Sequence, residues 1–303
     1  MPQVIGKVGG LDENLRLQDR MAQKLKALRH LHGALNLETI EPRPVFDGDE
    51  LKDLEAERKN RAKEIIEDFM ISANGVTVRY LASKRFPSLR SVVRTPKRWD
   101  RIIELASDHG FTLAQKPDSK ALEQFLTSAK AADPLRFPDL SLSVIKLMGA
   151  GEYVVELPGA SAAGHFGLAV KDYAHSTAPN RRYPDLITQR LLKAAMAGSS
   201  LSYENDELQV LAKHCTEEED AAKKSNDKSE NLRQRCCWNR IGERFDAIIT
   251  GASDQGTWVR LLRPPIEGKL VSGFEGMDVG QRLRVQLVRA DVDRGYIDFK
   301  RIG

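Results

Sequence analysis

Arg181 and Arg182 stand side by side where a helix is due to begin, a placement that points to holding an anion. Pro184 falls in the first turn of that helix. Its missing N–H costs nothing there, because the first donors of a helix have no intrahelical partner. Two cations at the positive end of a helix are unfavourable by roughly 0.3–1 kcal/mol each. An anion seated against them would offset that cost and would also meet the free backbone N–H groups of the first turn. The plain alternative is that the two arginines pair with nearby surface carboxylates such as Asp185.

The elements that position this pair are readable on either side. The stretch from His165 to Gly198 opens with an apolar run, Phe166 to Val170, that reads as a strand. A turn rich in Ser176, Thr177, Pro179 and Asn180 follows, then a helix with Ile187, Leu191 and Ala194 on one face. Upstream, residues 12–35 read as a helix carrying Leu15, Met21, Leu25 and Leu28, ended by Gly33, with an extended, proline-containing segment after it. Residues 51–84 read as largely helical through Leu51, Leu54, Ile65, Ile66, Phe69 and Met70, with a break or bend at Asn74-Gly75. A short strand, a proline turn and a helix over 97–110 come next. They carry a basic cluster (Arg90, Arg94, Lys97, Arg98 and Arg101) around Trp99, either a solvated face around a core ring or a surface for phosphates and a stacked base. Two more amphipathic helices lead into the strand 151–157, and residues 204–240 read as a long polar helix with mixed charges. The last sixty-odd residues hold five short strands separated by Gly, Pro and Asp turns, the pattern of an OB-type barrel. The fold class is therefore α+β, with residues 1–240 as one unit and 241–303 as a small all-β one.

The 303 residues allow an ample core, and a net charge of +4 is compatible with a polyanionic partner without requiring one. Aromatic residues make up only 6% of the chain, so base stacking must rest on few rings. No apolar run reaches membrane-spanning length and no signal-peptide core opens the chain. Cys215, Cys236 and Cys237 make an odd count, which argues against a disulfide framework and for a reducing cytoplasm. His214 beside Cys215 has no second pair at zinc-like spacing, so the thiols read as structural.

The string H-S-T-A-P-N-R-R-Y-P-D-L, followed by Arg190, closely resembles the T-S-P-x-R-R-Y-x-D-L-x-x-H-R signature of the RNase II/RNase R family, known by its RNB catalytic domain. Gln189 stands at the family's His. The family are hydrolytic exoribonucleases that degrade single-stranded RNA processively from its 3′ end with a divalent metal, magnesium by expectation. In that resemblance Arg181, with Arg182 beside it, falls where an arginine holds the scissile phosphate and stabilises its charge. The run L-x-x-x-R then G-A-L-N-L-E-T resembles the middle of an RNB domain, and I-I-E-D-F-M-I-S-A-N resembles a family helix whose carboxylate contacts the terminal nucleotide. That points to Glu67 or Asp68; a solvated acidic pair is the alternative. The helix after the arginines resembles one carrying A-E-R or V-E-R, and Asn226 replaces its glutamate. The final strands resemble the RNA-binding domain repeated in the first protein of the small ribosomal subunit. Phe245 and Trp258 are its ring candidates, unless either is barrel core, and Arg260, Arg263 and Lys269 its phosphate contacts. Gln255 stands where an aromatic is common, which predicts weaker stacking.

Two-metal phosphodiester hydrolysis needs carboxylates converging on ions about 4 Å apart, and magnesium takes oxygen ligands. The family supplies them from D-x-x-x-x-x-D-x-D-D. That spacing is not found: Asp133 and Asp139 have its first interval, but Ser141 and Leu142 follow, and Asp47 and Asp49 form a short acidic turn. These read as loop and capping carboxylates, and no metal ligand is assigned. Family order would put the motif upstream of residue 1. The expectations are a chain that is one part of an enzyme split with a separate partner chain, one with a late start, or a degenerate homologue. Cleavage by the chain alone is expected to be impaired, and the rival function is RNA binding without cleavage.

Overall fold

Helix α1 (Leu11–Leu31) packs along α2 (Arg61–Ser83), and between them in sequence lies an antiparallel hairpin of β1 (Glu41–Asp47) and β2 (Glu50–Glu57). The computed structural model describes residues 9–39, 41–48, 50–57, 60–134, 136–160, 164–200, 203–225, 240–253, 256–291 and 296–302. Asn226, Gln255, Cys236, Cys237 and Asp49 lie outside the described residues.

The hairpin corrects the expected helix over residues 51–60. Leu51 and Leu54 are spaced as on a helix, but their backbone pairs with Phe46 and Pro44 in the ladder. Gly48 follows the last ladder pair, Asp47 with Glu50, at a φ of 62°, a left-handed conformation that glycine takes without steric cost. Helix α2 starts only after it, where the Asn60 side chain accepts from the Lys63 N–H at 3.1 Å. The helix then runs unbroken through Asn74-Gly75, against the expected bend. Gly75 is there for closeness: a Cβ would lie 3.3 Å from the Asp172 carbonyl oxygen of a chain passing over it.

Strands β3 (Ser88–Val92) and β4 (Glu152–Glu156) pair antiparallel. Between them α3 (Trp99–Asp108), α4 (Ser119–Ala132) and α5 (Phe137–Met148) bury Trp99, Ile102, Phe125, Phe137 and Val144 in one core. Asp118 caps α4 through bonds to the N–H groups of Lys120 and Ala121. Helices α6 (Tyr183–Ala197) and α7 (Asn205–Ser225) pack Ile187, Leu191, Leu208 and the buried thiol of Cys215 against β3 and β4 in a second core. The run Phe166–Val170 is not a strand. His165 N–H donates to the Val170 carbonyl at 2.8 Å, so the segment folds back on itself through a 3-10 turn, Phe166–Leu168, and Ala169 takes a φ of 49°.

Five strands close a barrel in the order β5-β6-β7-β9-β8: β5 (Arg244–Ser253), β6 (Gly256–Leu261), β7 (Glu267–Ser272), β8 (Arg282–Asp291) and β9 (Tyr296–Arg301). The inward positions Ile249, Val259, Leu270, Val285, Leu287 and Phe299 fill it. The barrel is docked on the helices by charge and by packing. Asp139 of α5 bonds Arg260 at 2.8 Å and Arg282 at 2.9 Å, Arg98 bonds Asp278 at 2.6 Å, and Val279 inserts into the α3–α5 core. Among the described residues, no helix is long and apolar enough to cross a membrane.

Candidate functional site

Three elements converge on the turn that carries the arginines. Asn74, in the middle of α2 and fully buried, accepts hydrogen bonds from the Ser176 N–H at 3.0 Å and the Ser176 hydroxyl at 2.8 Å. Gln189 of α6 donates to the Ser176 carbonyl at 2.7 Å. Asp185, in the first turn of α6 and 0% exposed, accepts from the Ala178 N–H at 2.9 Å and from Arg182 at 2.7 Å. The Arg181 and Arg182 N–H groups both close onto the Ala178 carbonyl, so the turn is tight as well as anchored.

This geometry separates the two arginines. Arg182 is half-buried and paired with Asp185, which is the plain alternative set out for the pair. Arg181 is exposed and has no carboxylate partner among the described residues. A guanidinium held on a rigid turn at a helix N-terminus, facing water, can take a phosphate in a planar two-point grip. Arg182 can then act through the turn, by fixing Asp185.

Beneath the turn lies a row of rings. Tyr153 of β4 stacks edge-on with His175, His175 with Tyr173, and Tyr173 with His165, at centroid separations of 5.6, 5.5 and 5.5 Å. The Tyr153 hydroxyl lies 2.7 Å from His175 Nδ1. Burial, and then the Arg182 guanidinium, hold the His175 imidazole below its usual range, so it is neutral. Burial takes His165 down to about 4. The Tyr153 phenol is pushed strongly up, first by burial and then by the charge of Glu219 on α7. Tyr173 is raised by burial and also feels Arg182, Asp185 and Glu67, which brings α2 and the arginine turn together around one ring.

The other sequence candidates fall in different places. Asp68 is buried against Arg29 of α1, which occupies it; burial raises its pKa despite that cation. Glu67 is only partly covered, and its charge bears on Tyr173. In the barrel, Phe245 belongs to the core with Arg240 4.8 Å above its ring, so it is not open to stack a base. Arg260 is buried against Asp139 and is not free for a phosphate. Trp258 remains: half-buried, it lies over Gly251 and Gly256, where added Cβ atoms would come 3.4 and 3.5 Å from its ring. Lys269 is its register partner on β7 and is exposed, as is Arg263. The arginines of the basic cluster are paired: Arg90 holds Glu156 and Asp172, Arg94 holds Glu152, Arg98 and Arg101 hold the barrel loop at Asp278 and Val279, and Trp99 is core, while Lys97 is exposed.

The carboxylates do not assemble into a metal site. Among the described residues no group of three or more His, Cys, Asp or Glu side chains converges to hold an ion. Asp139 is held by two arginines and Asp133 by Arg136. The described residues do not fit a magnesium centre, and their chemistry is binding and orientation. Sequence reading passed over Asn74, Tyr153, Tyr173 and His175 as site residues. Asn74 was within reach: it ends the A-N pair of the helix motif, where an Asn-Gly dipeptide looked like a break.

Comparison with known proteins accords with this geometry. Residues 3–198 match the RNB domain, and residues 243–302 match the RNase II-type exonuclease C-terminal S1 domain. Ribonuclease R of Aquifex aeolicus is 28% identical over 335 residues, covering 99% of this chain and 46% of that protein. Ribonuclease R 1 of Lactococcus lactis is 25% identical over 321 residues, covering 95% and 38%. The apo form of Mycoplasma genitalium RNase R superposes with a TM-score of 0.75 at 18% identity, over 96% of this chain and 50% of that one. The chain thus spans half or less of the length of these relatives.

Proposed function

This chain belongs to the RNB-domain family, and from that premise we propose that it is a ribonuclease polypeptide of the hydrolytic 3′-to-5′ type that takes single-stranded RNA. The observation that carries the reading is Arg181: exposed, without a carboxylate partner among the described residues, on a turn fixed by Asn74, Asp185 and Gln189. In this proposal Arg181 grips a backbone phosphate and Glu67 faces the terminal nucleoside. Trp258 stacks a base, and Lys269 and Arg263 hold phosphates leading to the turn. Residues 1–240 and 241–303 divide this work between chemistry and strand capture, in a reducing cytoplasm. The RNase R of Mycoplasma genitalium forms complexes with single-stranded and double-stranded RNA, which supports RNA as the ligand. Magnesium would supply the attacking hydroxide and neutralise phosphate charge. No described carboxylate set fits it, so in this proposal its ligands come from outside the described residues, a separate chain being one candidate source.

A second reading, RNA binding without cleavage, is favoured by the arginines that already occupy Asp68, Asp139 and Asp185. The two are told apart by incubating a single-stranded RNA with the purified chain and magnesium or manganese, with EDTA as control. A metal-dependent ladder shrinking from the 3′ end supports the nuclease. Intact RNA with salt-sensitive binding supports the binder.

Two substitutions test the shared part of both readings. Arg181→Lys keeps the charge and loses the planar fork, and we expect about 1–2 kcal/mol weaker RNA binding; unchanged affinity in a titration would remove Arg181 from the phosphate site. Trp258→Ala should weaken single-strand binding by roughly 1–3 kcal/mol, the worth of one stacked base. No loss in the same titration would put the strand elsewhere on the barrel.

A further inference from the structure

The arginine turn has a second support that the phosphate-holding role does not itself require. His175 sits two residues before Thr177, at the head of the turn, and its ring is clamped edge-on between Tyr153 and Tyr173. Nδ1 meets the Tyr153 hydroxyl at 2.7 Å. Tyr153 is in turn met from α7 twice. Its backbone N–H donates to the Thr216 hydroxyl at 2.9 Å, and the charge of Glu219, one turn further along the same helix, bears on its phenol. Whichever of phenol and imidazole gives the proton they share, each holds the other, so the ring before the turn is tied to β4 and α7.

We propose that Tyr153 and His175 are positioning residues of the arginine turn, a hydrogen-bonded line from α7 and β4 that fixes the chain at His175, next to Ser176, and so sets how the turn presents Arg181. This inference rests on the reading of Arg181 as a phosphate holder. Two features separate the line from ordinary core packing. It is polar along its whole length in a place where apolar rings would fill the same volume, and burying polar groups is costly unless each is partnered. It also meets the turn at His175, directly before Ser176, whose N–H and carbonyl are already held by Asn74 and Gln189.

The groups facing His175 are Tyr153 from β4, Tyr173 and, beyond it, His165 from the preceding loop, Arg182 and Asp185 from the start of α6, and Glu219 from α7. A second proton on the imidazole would add a cation within reach of the Arg182 charge, with Asp185 and Glu219 the anions among the described residues that bear on it. The depressed affinity of His175 for protons keeps it neutral through the neutral range and lets it charge only on acidification. The unfolded chain, with an ordinary imidazole, binds that proton first, so the line contributes least in acid.

The test uses the full chain and a fluorescently labelled single-stranded oligouridylate, with affinity measured at pH 7.5 and pH 5 and folding followed by thermal melting. His175→Ala and Tyr153→Phe are expected to weaken binding roughly three- to tenfold at pH 7.5, the range of one lost hydrogen bond. His175→Asn, whose amide reaches the Nδ1 position and does not titrate, should bind within about twofold of the parent at pH 7.5. On acidification its affinity should change less than the parent's, because the parent's imidazole can take up a proton and the amide cannot. Parent-like binding by His175→Ala or by Tyr153→Phe overturns the proposal. So does a His175→Asn as weak as His175→Ala, which would reduce the ring to packing. If His175→Ala fails to fold, Tyr153→Phe decides, since it removes a single oxygen and leaves the imidazole in place. Arg181→Lys is run alongside. If it binds like the parent, the phosphate-site reading fails; if it is weak while the Tyr153 and His175 variants are not, only the positioning line fails.

Discussion

Asp139→Ala is expected to cost the folded chain about 3–5 kcal/mol, among the largest losses available from any single side chain outside the apolar cores. The carboxylate stands between Arg260 at 2.8 Å and Arg282 at 2.9 Å, with Arg260 only 8% and Asp139 12% exposed. Removing it leaves the Arg260 guanidinium buried between the barrel and α5 with nothing opposite, and an uncompensated buried cation is far costlier than the pair was favourable. Glu267, the register partner of Arg260 on β7, already takes Thr250 and Lys146. Urea unfolding measures the loss directly, and a change below about 1 kcal/mol would mean that solvent reaches Arg260. The double change Asp139→Leu with Arg260→Met removes both charges and should recover most of the stability, because a well-packed apolar pair commonly replaces a buried ion pair without loss. The result also bears on RNA: Arg260 spends its charge on fixing the barrel, so Arg260→Met in that background should leave the salt dependence of RNA binding nearly unchanged.

That joint shows where sequence and structure part. The barrel was legible because its strands alternate: Val285 and Leu287, or Ile297 and Phe299, recur at a spacing of two between turn residues, and such a pattern has one way to bury itself. Helix α6 was legible for the same reason at a spacing of four, through Ile187 and Leu191. The partners of charges were not. Arg90, Arg98, Arg101 and Arg260 look alike in a one-dimensional reading, as basic residues near a ring. Each is committed by a carboxylate or carbonyl that lies from 66 to 180 positions away, as in Arg90 with Glu156 and Arg98 with Asp278. Ion pairs carry no period, so nothing local announces them. The hairpin over β1 and β2 was hidden differently. Leu51 and Leu54 mimic a helical stripe, and the turn glycine, Gly48, is the local signal that separates the two outcomes. The arginine motif gave the place of the site, but its anchors on α2 and β4 came from tertiary contacts.

Asp185→Ala carries the second large effect, and it reaches function through the same physics. The residue is fully enclosed, and it ties the turn to α6 from both ends: the Ala178 N–H at 2.9 Å behind the arginines and the Arg182 guanidinium at 2.7 Å among them. Alanine would orphan a backbone donor and strip a half-buried cation of its partner, for a combined loss of roughly 3–5 kcal/mol. Asp185→Asn is the sharper probe. The amide oxygen can still accept from Ala178, so the turn keeps its shape, but the charge that holds Arg182 is gone. Two cations then share a helix N-terminus with no fixed anion, a placement that is itself unfavourable. We expect Asp185→Asn to lose less stability than Asp185→Ala, by at least about 1 kcal/mol in urea unfolding, while its RNA affinity becomes more sensitive to salt as Arg182 turns toward the phosphate. A steeper slope of log affinity against log salt, by nearly one phosphate contact, is the signature. An unchanged slope would mean that Arg182 stays with the turn even when unpaired, and that Arg181 alone meets the strand.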